Sequence, residues 1–168
     1  SGAGTVSERA LMYAILRRMP ELSMYRKALE VAMADKAVGQ WDGWARDWYE
    51  TQVKECDKTS GGKYLAYMLD KLSVELNMRA DEDNTVLDMI ISMCKQIRSN
   101  GYKQQNNNAV IGKLRVIFAK ISLDKLEPDL VIMDEFQRFK YLINSDSDTE
   151  TGMLANKFCN SSKFRMLL

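Results

Sequence analysis

Pro128-Asp129-Leu130-Val131-Ile132-Met133-Asp134-Glu135-Phe136-Gln137-Arg138-Phe139 is the stretch on which the reading of this chain turns. Leu130 to Met133 are consecutive apolar residues, two of them β-branched. Such a run suits a strand buried on both faces of a parallel sheet, with Pro128 just before it. Asp134 and Glu135 then fall at the carboxyl end of that strand. In open α/β sheets this edge is where ligands bind, so the two carboxylates are expected at the mouth of a site. An aspartate there can hold Mg²⁺ through its water shell while the ion neutralises the β- and γ-phosphates of a nucleotide. Glu135 is one methylene longer and reaches a different point, where it can polarise the water that attacks the γ-phosphate. Asp134 is thus the expected metal-side ligand and Glu135 the expected general base.

The string PDLVIMDEFQRF resembles the Walker B element, or motif II, of superfamily 2 helicases and translocases, in a DEFQ form of the DEAD/DEAH box. Upstream, Ile111-Gly112-Lys113-Leu114-Arg115 and Ser122-Leu123-Asp124-Lys125-Leu126 are similar to what precedes this box in bacterial helicase-related proteins with a helical insertion in the first motor domain. Downstream, Lys163-Phe164-Arg165-Met166-Leu167-Leu168 resembles the strand that leads into motif III, a Ser-Ala-Thr triplet that this sequence does not contain there. The resemblance implies an internal fragment of a RecA-like motor domain, with Ser1-Gly2-Ala3-Gly4-Thr5 as an internal segment. It also implies ATP and Mg²⁺ as cofactors of the parent protein, bound through Asp134 and Glu135. Gln137 is then the last box residue, which couples nucleotide state to the following motif. The implied partner is nucleic acid, DNA before RNA, together with a protein partner for the helical insertion.

Two other readings of the same residues compete. A hydrophobic strand ending in acid occurs in many α/β proteins, and Asp134-Glu135 can be solvated loop. Pro128 to Asp134 also resembles the phosphoacceptor strand of response-regulator receivers, with Asp134 as acceptor and Asp81-Glu82-Asp83 as the upstream acids. That resemblance fails on context, because Leu76-Asn77-Met78-Arg79-Ala80 makes a poor buried strand before those acids.

Composition narrows the chemistry. A chain of 168 residues, 46% hydrophobic and 28% charged, is long and apolar enough for a folded domain. Two prolines and nine glycines leave long uninterrupted stretches, which favours helix. The formal charge of +1 gives no global electrostatic case for nucleic acid, so any basic face must be local. The absence of histidine removes histidine general bases, Ser-His triads and the commonest zinc ligands. Cys56, Cys94 and Cys159 form no paired spacing and read as free thiols in a reducing cytoplasm. No apolar run reaches membrane-spanning length and no signal peptide is visible, so no membrane is expected as a partner.

Helical periodicity carries the rest. Thr5 and Glu8 fit a capping box for a first helix that Pro20 ends. A second helix is expected over about Ser23 to Val38, stopped at Gly39, and a third from near Asp42. Trp41, Trp44 and Trp48 repeat at three and four, so they are expected on one packed face, with base stacking as the functional alternative. Arg17, Arg18, Arg26 and Lys27 read as solvated surface, with phosphate binding the alternative. Lys58 to Lys63 carries phosphate-loop residue types but not the signature, because Asp57 and Tyr64 stand where glycine and Ser or Thr are required. Ser60-Gly61-Gly62 reads as an interhelical turn. Further helices are expected over about Lys63 to Asn77, Thr85 to Ser99 and Ala109 to Ile121. Asp81 to Asn84 is the cap between the first two, and Gln104 to Asn108 a short polar loop. Beyond the box, a short helix from Phe136 to Ile143, an acidic loop from Asn144 to Thr151 and a crossover helix from Met153 to Phe158 lead to a strand over Phe164 to Leu168, parallel to the first.

The expected architecture is therefore mainly α. A bundle of about six helices over 1–122 is followed by a partial RecA-like α/β unit with two parallel strands over 123–168. The expected function is that of a fragment of an ATP-dependent nucleic-acid helicase or translocase. The fragment alone is expected to be inactive, for want of a phosphate loop, motif III and a second motor domain. A non-catalytic helical module that binds a protein or DNA is the alternative.

Overall fold

The computed structural model describes residues 3–126, 130–132 and 165–167. The chain divides into two compact units, Ser1–Arg115 and Val116–Leu168. Among the described residues the regular structure of the first unit is all helix, apart from an isolated antiparallel bridge between Arg79 and Thr85.

Helix α1 (Val6–Leu16) begins as its sequence dictates. The Glu8 N–H donates to Thr5 Oγ1 at 3.2 Å and the Thr5 N–H donates to Glu8 Oε2 at 2.6 Å, which satisfies two of the amides a helix start leaves open. Ala10, Met12, Tyr13, Ala14, Ile15 and Leu16 are all buried, so α1 is the axis of the unit. It is touched by α2 (Arg26–Ala34), α4 (Arg46–Thr59) and α5 (Lys63–Leu76). Each large apolar side chain fully buried here contributes about 1.5–3 kcal/mol. Helix α6 (Val86–Ser99) closes the core with Ile90, Cys94 and Ile97 and lies against α2. Its cap is Thr85, whose Oγ1 accepts from the Asp88 N–H at 3.1 Å. The Asp81–Asn84 cluster expected as the cap instead folds on itself. Asp81 Oδ1 accepts from the Asp83 and Asn84 amides at 3.0 and 2.8 Å and shapes the turn before the helix.

The segment between α1 and α4 departs from expectation. Pro20–Tyr25 is a 3₁₀ helix, and α2 spans only Arg26–Ala34 instead of the expected Ser23–Val38. Asp35, with φ 48° and ψ −135°, breaks the backbone in a conformation that L-residues rarely adopt. Gly39 does not stop a helix. It lies inside α3 (Val38–Gln40), which runs through a π turn at Trp41–Ala45 directly into α4. Residues 38–59 therefore form one rod, and its start at Val38 precedes the expected Asp42.

The turn at Ser60-Gly61-Gly62 is as expected, with both glycines left-handed at φ 65° and 81°. The Leu65 amide donates to Asp57 Oδ1 at 3.0 Å and the Tyr64 amide to Ser60 Oγ at 2.9 Å. Two amides that would face an anion at the start of α5 are thus already occupied, which is the physical counterpart of the missing phosphate-loop signature.

Helix α7 (Asn108–Leu126) extends past the expected end at Ile121, because its sequence holds no glycine or proline from Lys113 to Leu126. In the second unit, Ile117, Phe118 and Ile121 of this helix are buried. Strand β1 (Leu130–Ile132) pairs in parallel with β2 (Arg165–Leu167), Val131 opposite Met166. The expected helices over Phe136 to Ile143 and Met153 to Phe158, and the loop between them, lie outside the described residues.

Candidate functional site

Asp134, Glu135 and Gln137, the residues expected to carry the chemistry, lie outside the described residues. The described chain reaches the strand that leads to them: β1 ends at Ile132 and is paired along its length with β2. Among the described residues there is no group of three acids, cysteines or histidines that could hold a metal. Nor is any helix among them long and apolar enough to cross a membrane.

Within the helical unit the densest polar cluster centres on Glu30. Its Oε2 accepts from the Tyr13 hydroxyl at 3.1 Å, and its Oε1 accepts from Trp41 Nε1 at 3.2 Å and Arg46 Nη1 at 3.0 Å. Burial works to raise the Glu30 pKa, but the three donors and the Arg46 charge outweigh it, so the carboxyl titrates below its ordinary value. Tyr13 is pushed the other way. Burial first, then the Glu30 charge, raise its hydroxyl to about 12. Arg46 also binds Asp42 and Asp47, each at 3.0 Å. Every oxygen of Glu30 is committed to a donor that fixes α2 to α1 and to the rod, so the cluster is a structural tie and this carboxylate is not a free base. Glu50 plays a similar part. It takes Arg18 through both oxygens at 2.7 and 3.0 Å, with Arg17 at 3.7 Å. Those two arginines are paired within the protein, while Arg26 donates to the Arg17 carbonyl at 3.2 Å.

The tryptophans separate. Trp41 is 1% exposed and meets the Tyr13 ring edge-on at 5.5 Å, as a core residue should. Trp44 and Trp48 are 46% and 55% exposed, which corrects the expectation of one packed stripe. The π turn is the cause. Residues seven apart on an uninterrupted α-helix stay within about 20° of each other. One additional residue in a wide turn carries everything after it round by about 100°. Trp41, Ala45 and Val53 hold the buried line and Trp48 leaves it.

Clefts open on the helical unit among the described residues, and three of them bear on the site. One, of about 340 Å³, has Asp81, Asp88, Ser92 and Gln96 in its wall. Its carboxylates cap their own turns, and those backbone amides hold both below their usual pKa. The second, also about 340 Å³, lies between α2 and the loop after α6 and is lined by Lys27, Val31, Trp41 and Tyr102. The third, about 520 Å³, is lined by Asp35, Lys36, Gln104, Gln105, Asn106 and Asn108. Gln104 belongs to both of these last two, and its side-chain amide donates to the Val31 carbonyl, which fastens the loop to α2. Lys27 Nζ sits 4.1 Å from the centre of the Tyr102 ring. Periodicity leaves the loop as a bland polar connection. The only mark of more is that an aromatic follows Gly101 in a run of lysine and amide side chains.

No protein-family model, no curated protein and no solved structure matches the chain.

Proposed function

We propose that this chain is part of the first motor domain of an ATP-dependent nucleic-acid helicase or translocase. The observation that carries this reading is the sequence PDLVIMDEFQRF, in which an apolar strand runs directly into adjacent carboxylates. The parallel pairing of Leu130–Ile132 with Arg165–Leu167 supports it, since strands joined in parallel need a crossover and place their carboxyl ends on one edge. The donor chemistry also fits. Carboxylate oxygens are what Mg²⁺ selects, and the ion would neutralise charge on the β- and γ-phosphates of ATP. Asp134 would hold the ion through its water shell, and Glu135 would take the proton of the attacking water. Gln137 would relay the state of the site to the next motif. The helices over 1–122 would be an insertion that precedes motif II.

The test is nucleic-acid-stimulated ATP hydrolysis by the complete natural polypeptide, wild type against Glu135→Gln. Loss of a positioned general base lowers turnover by about 10²–10⁴-fold, with MgATP binding retained. A wild type that hydrolyses no ATP, or a variant as fast as wild type, overturns the reading.

A second reading, a non-catalytic helical interaction module, is favoured by one observation, the exposure of Trp44 and Trp48 on the same rod. It predicts capture of a partner that survives Glu135→Gln and fails on Trp44→Ala with Trp48→Ala.

A further inference from the structure

The two clefts that share Gln104 differ in character. One is walled largely by apolar groups, with Val31, Ala34, Val38 and Trp41 beside the Tyr102 ring. The other is walled by the amide side chains of Gln105, Asn106 and Asn108, together with Asp35 and Lys36. Two observations single out this place. Asp35 and Tyr102, φ 48° and 61°, are the only non-glycine residues with positive φ among the described residues, and one stands in the wall of each cleft. A side chain crowds the backbone in that conformation, and residues held in it gather at ligand clamps. The second observation is polar. Gln105 Nε2 is a buried donor with no acceptor among the described residues. The Asp35 carboxylate has neither a hydrogen bond nor an ion pair among them. A buried donor costs stability until something supplies its acceptor.

The charges exclude a polyion. Lys27 and Lys36 stand against Glu30, Asp35 and Asp42 in the two walls, and the single Arg46 is shared by Glu30, Asp42 and Asp47. Neither sign has a surplus that would select a charged chain. An occupant must instead be uncharged, offer an acceptor to Gln105 and donors to Asp35, and carry an apolar group past Gln104 into the neighbouring cleft.

We propose that the adjoining clefts bind an uncharged segment of a partner polypeptide. Its apolar side chain sits among Val31, Ala34, Val38 and Trp41, and its backbone meets Gln105 and Asp35. A peptide carries a C=O acceptor and an N–H donor at each residue, which is what the orphaned amide and the free carboxylate lack. A nucleic-acid strand brings a phosphate charge with every base, a sugar brings no apolar side chain, and a fatty chain brings no repeated donor and acceptor. The assignment goes beyond the motor reading and uses neither Asp134, Glu135 and Gln137 nor Trp44 and Trp48.

The measurement is a selection of phage-displayed random heptapeptides on the 168-residue chain, followed by fluorescence anisotropy of the enriched sequence as a labelled, end-capped peptide. Uncharged sequences with one large apolar residue are expected to be enriched. Val38 is 49% exposed, so Val38→Asp places a charge in the apolar cleft and leaves the core intact. It is expected to weaken binding by about 10- to 150-fold, the loss of one buried apolar side chain. Gln105→Met keeps the reach of the side chain and removes the amide. Binding should fall by about 2- to 12-fold, the worth of one neutral hydrogen bond, while the thermal melt is unchanged or raised because an orphaned donor is gone. Failure to enrich any sequence overturns the assignment, as does enrichment of acidic or basic sequences. So does a Val38→Asp chain that binds as wild type does. A Gln105→Met chain that binds as wild type does and melts higher also overturns it, because water is then the only partner of that amide. ATP is absent throughout, so the clefts and the motor can fail separately.

Discussion

The two halves of the rod over residues 38–59 use the same residue type to opposite ends. Around Trp41 the rod faces inward: the indole N–H is bonded to Glu30, the ring meets Tyr13, and Ala45 beside it is fully buried. Around Trp48 the rod faces outward, with Asp47 and Glu55 as exposed neighbours and no hydrogen bond to the indole among the described residues. Nothing in the local composition separates them. Backbone geometry does, because a single wide turn between them rotates the second half. Burial is thus decided here by one inserted residue and not by hydrophobicity, and side chains of equal apolar area contribute very different amounts to stability.

The largest effect is expected at the inner half. Trp41→Ala removes a fully buried ring and leaves Glu30 one donor short, so a loss of about 3–5 kcal/mol is expected in urea unfolding. A loss below about 1 kcal/mol would mean that the inner half is not the anchor. The next effect is electrostatic. Tyr13 holds its proton to about 12 when folded against 10.0 as its ordinary value, so the unfolded chain ionises first as pH rises. Its contribution is intact below pH 10 and is lost between 10 and 12, about 2–3 kcal/mol at 1.36 kcal/mol per unit. Tyr13→Phe should remove that alkaline limb from a pH series of melts. Glu30 has the opposite sign. Its folded pKa lies below 4.5, so its stabilisation is present above that pH and is lost as pH falls through the lower folded value. Glu30→Gln should flatten the acid limb. The smallest effect is expected at the outer half. Trp48→Ala should change stability by less than about 0.5 kcal/mol, and a larger loss would show that the exposed ring is packed in solution.

Most of the helical architecture is legible in the residues. Thr5 with Glu8, the Gly61-Gly62 turn, and the helices over Lys63–Leu76 and Val86–Ser99 fall where capping and periodicity place them. These features are set by interactions within a few residues. The 3₁₀ helix at Pro20–Tyr25, the break at Asp35 and the π turn are not legible, because each answers to how α1, α2 and the rod fit together. The residues of the proposed motor site, Asp134, Glu135 and Gln137, are named from the string alone and lie outside the described residues. The pairing of Lys27 with Tyr102 has no trace in either local sequence, since tertiary structure alone brings α2 to the loop after α6.

The capping glutamate of α1 also has a partner at a distance. Glu8 Oε1 accepts from Arg115 Nη2 at 3.0 Å across 107 residues, beside Gly4, where an added Cβ would come within 2.5 Å of the same arginine. On the ribosome, then, α1 is made 107 residues before its clasp. At ordinary synthesis rates roughly 5–20 s separate the two. Glu8 caps only its own helix until Arg115 is made, and Tyr13, Ile15 and Leu16 wait for α2, α4 and α5, the last of which ends at Leu76. The nascent chain passes through a window in which its central helix exists without its surroundings, and a chaperone that binds apolar helical faces would find its longest opportunity there.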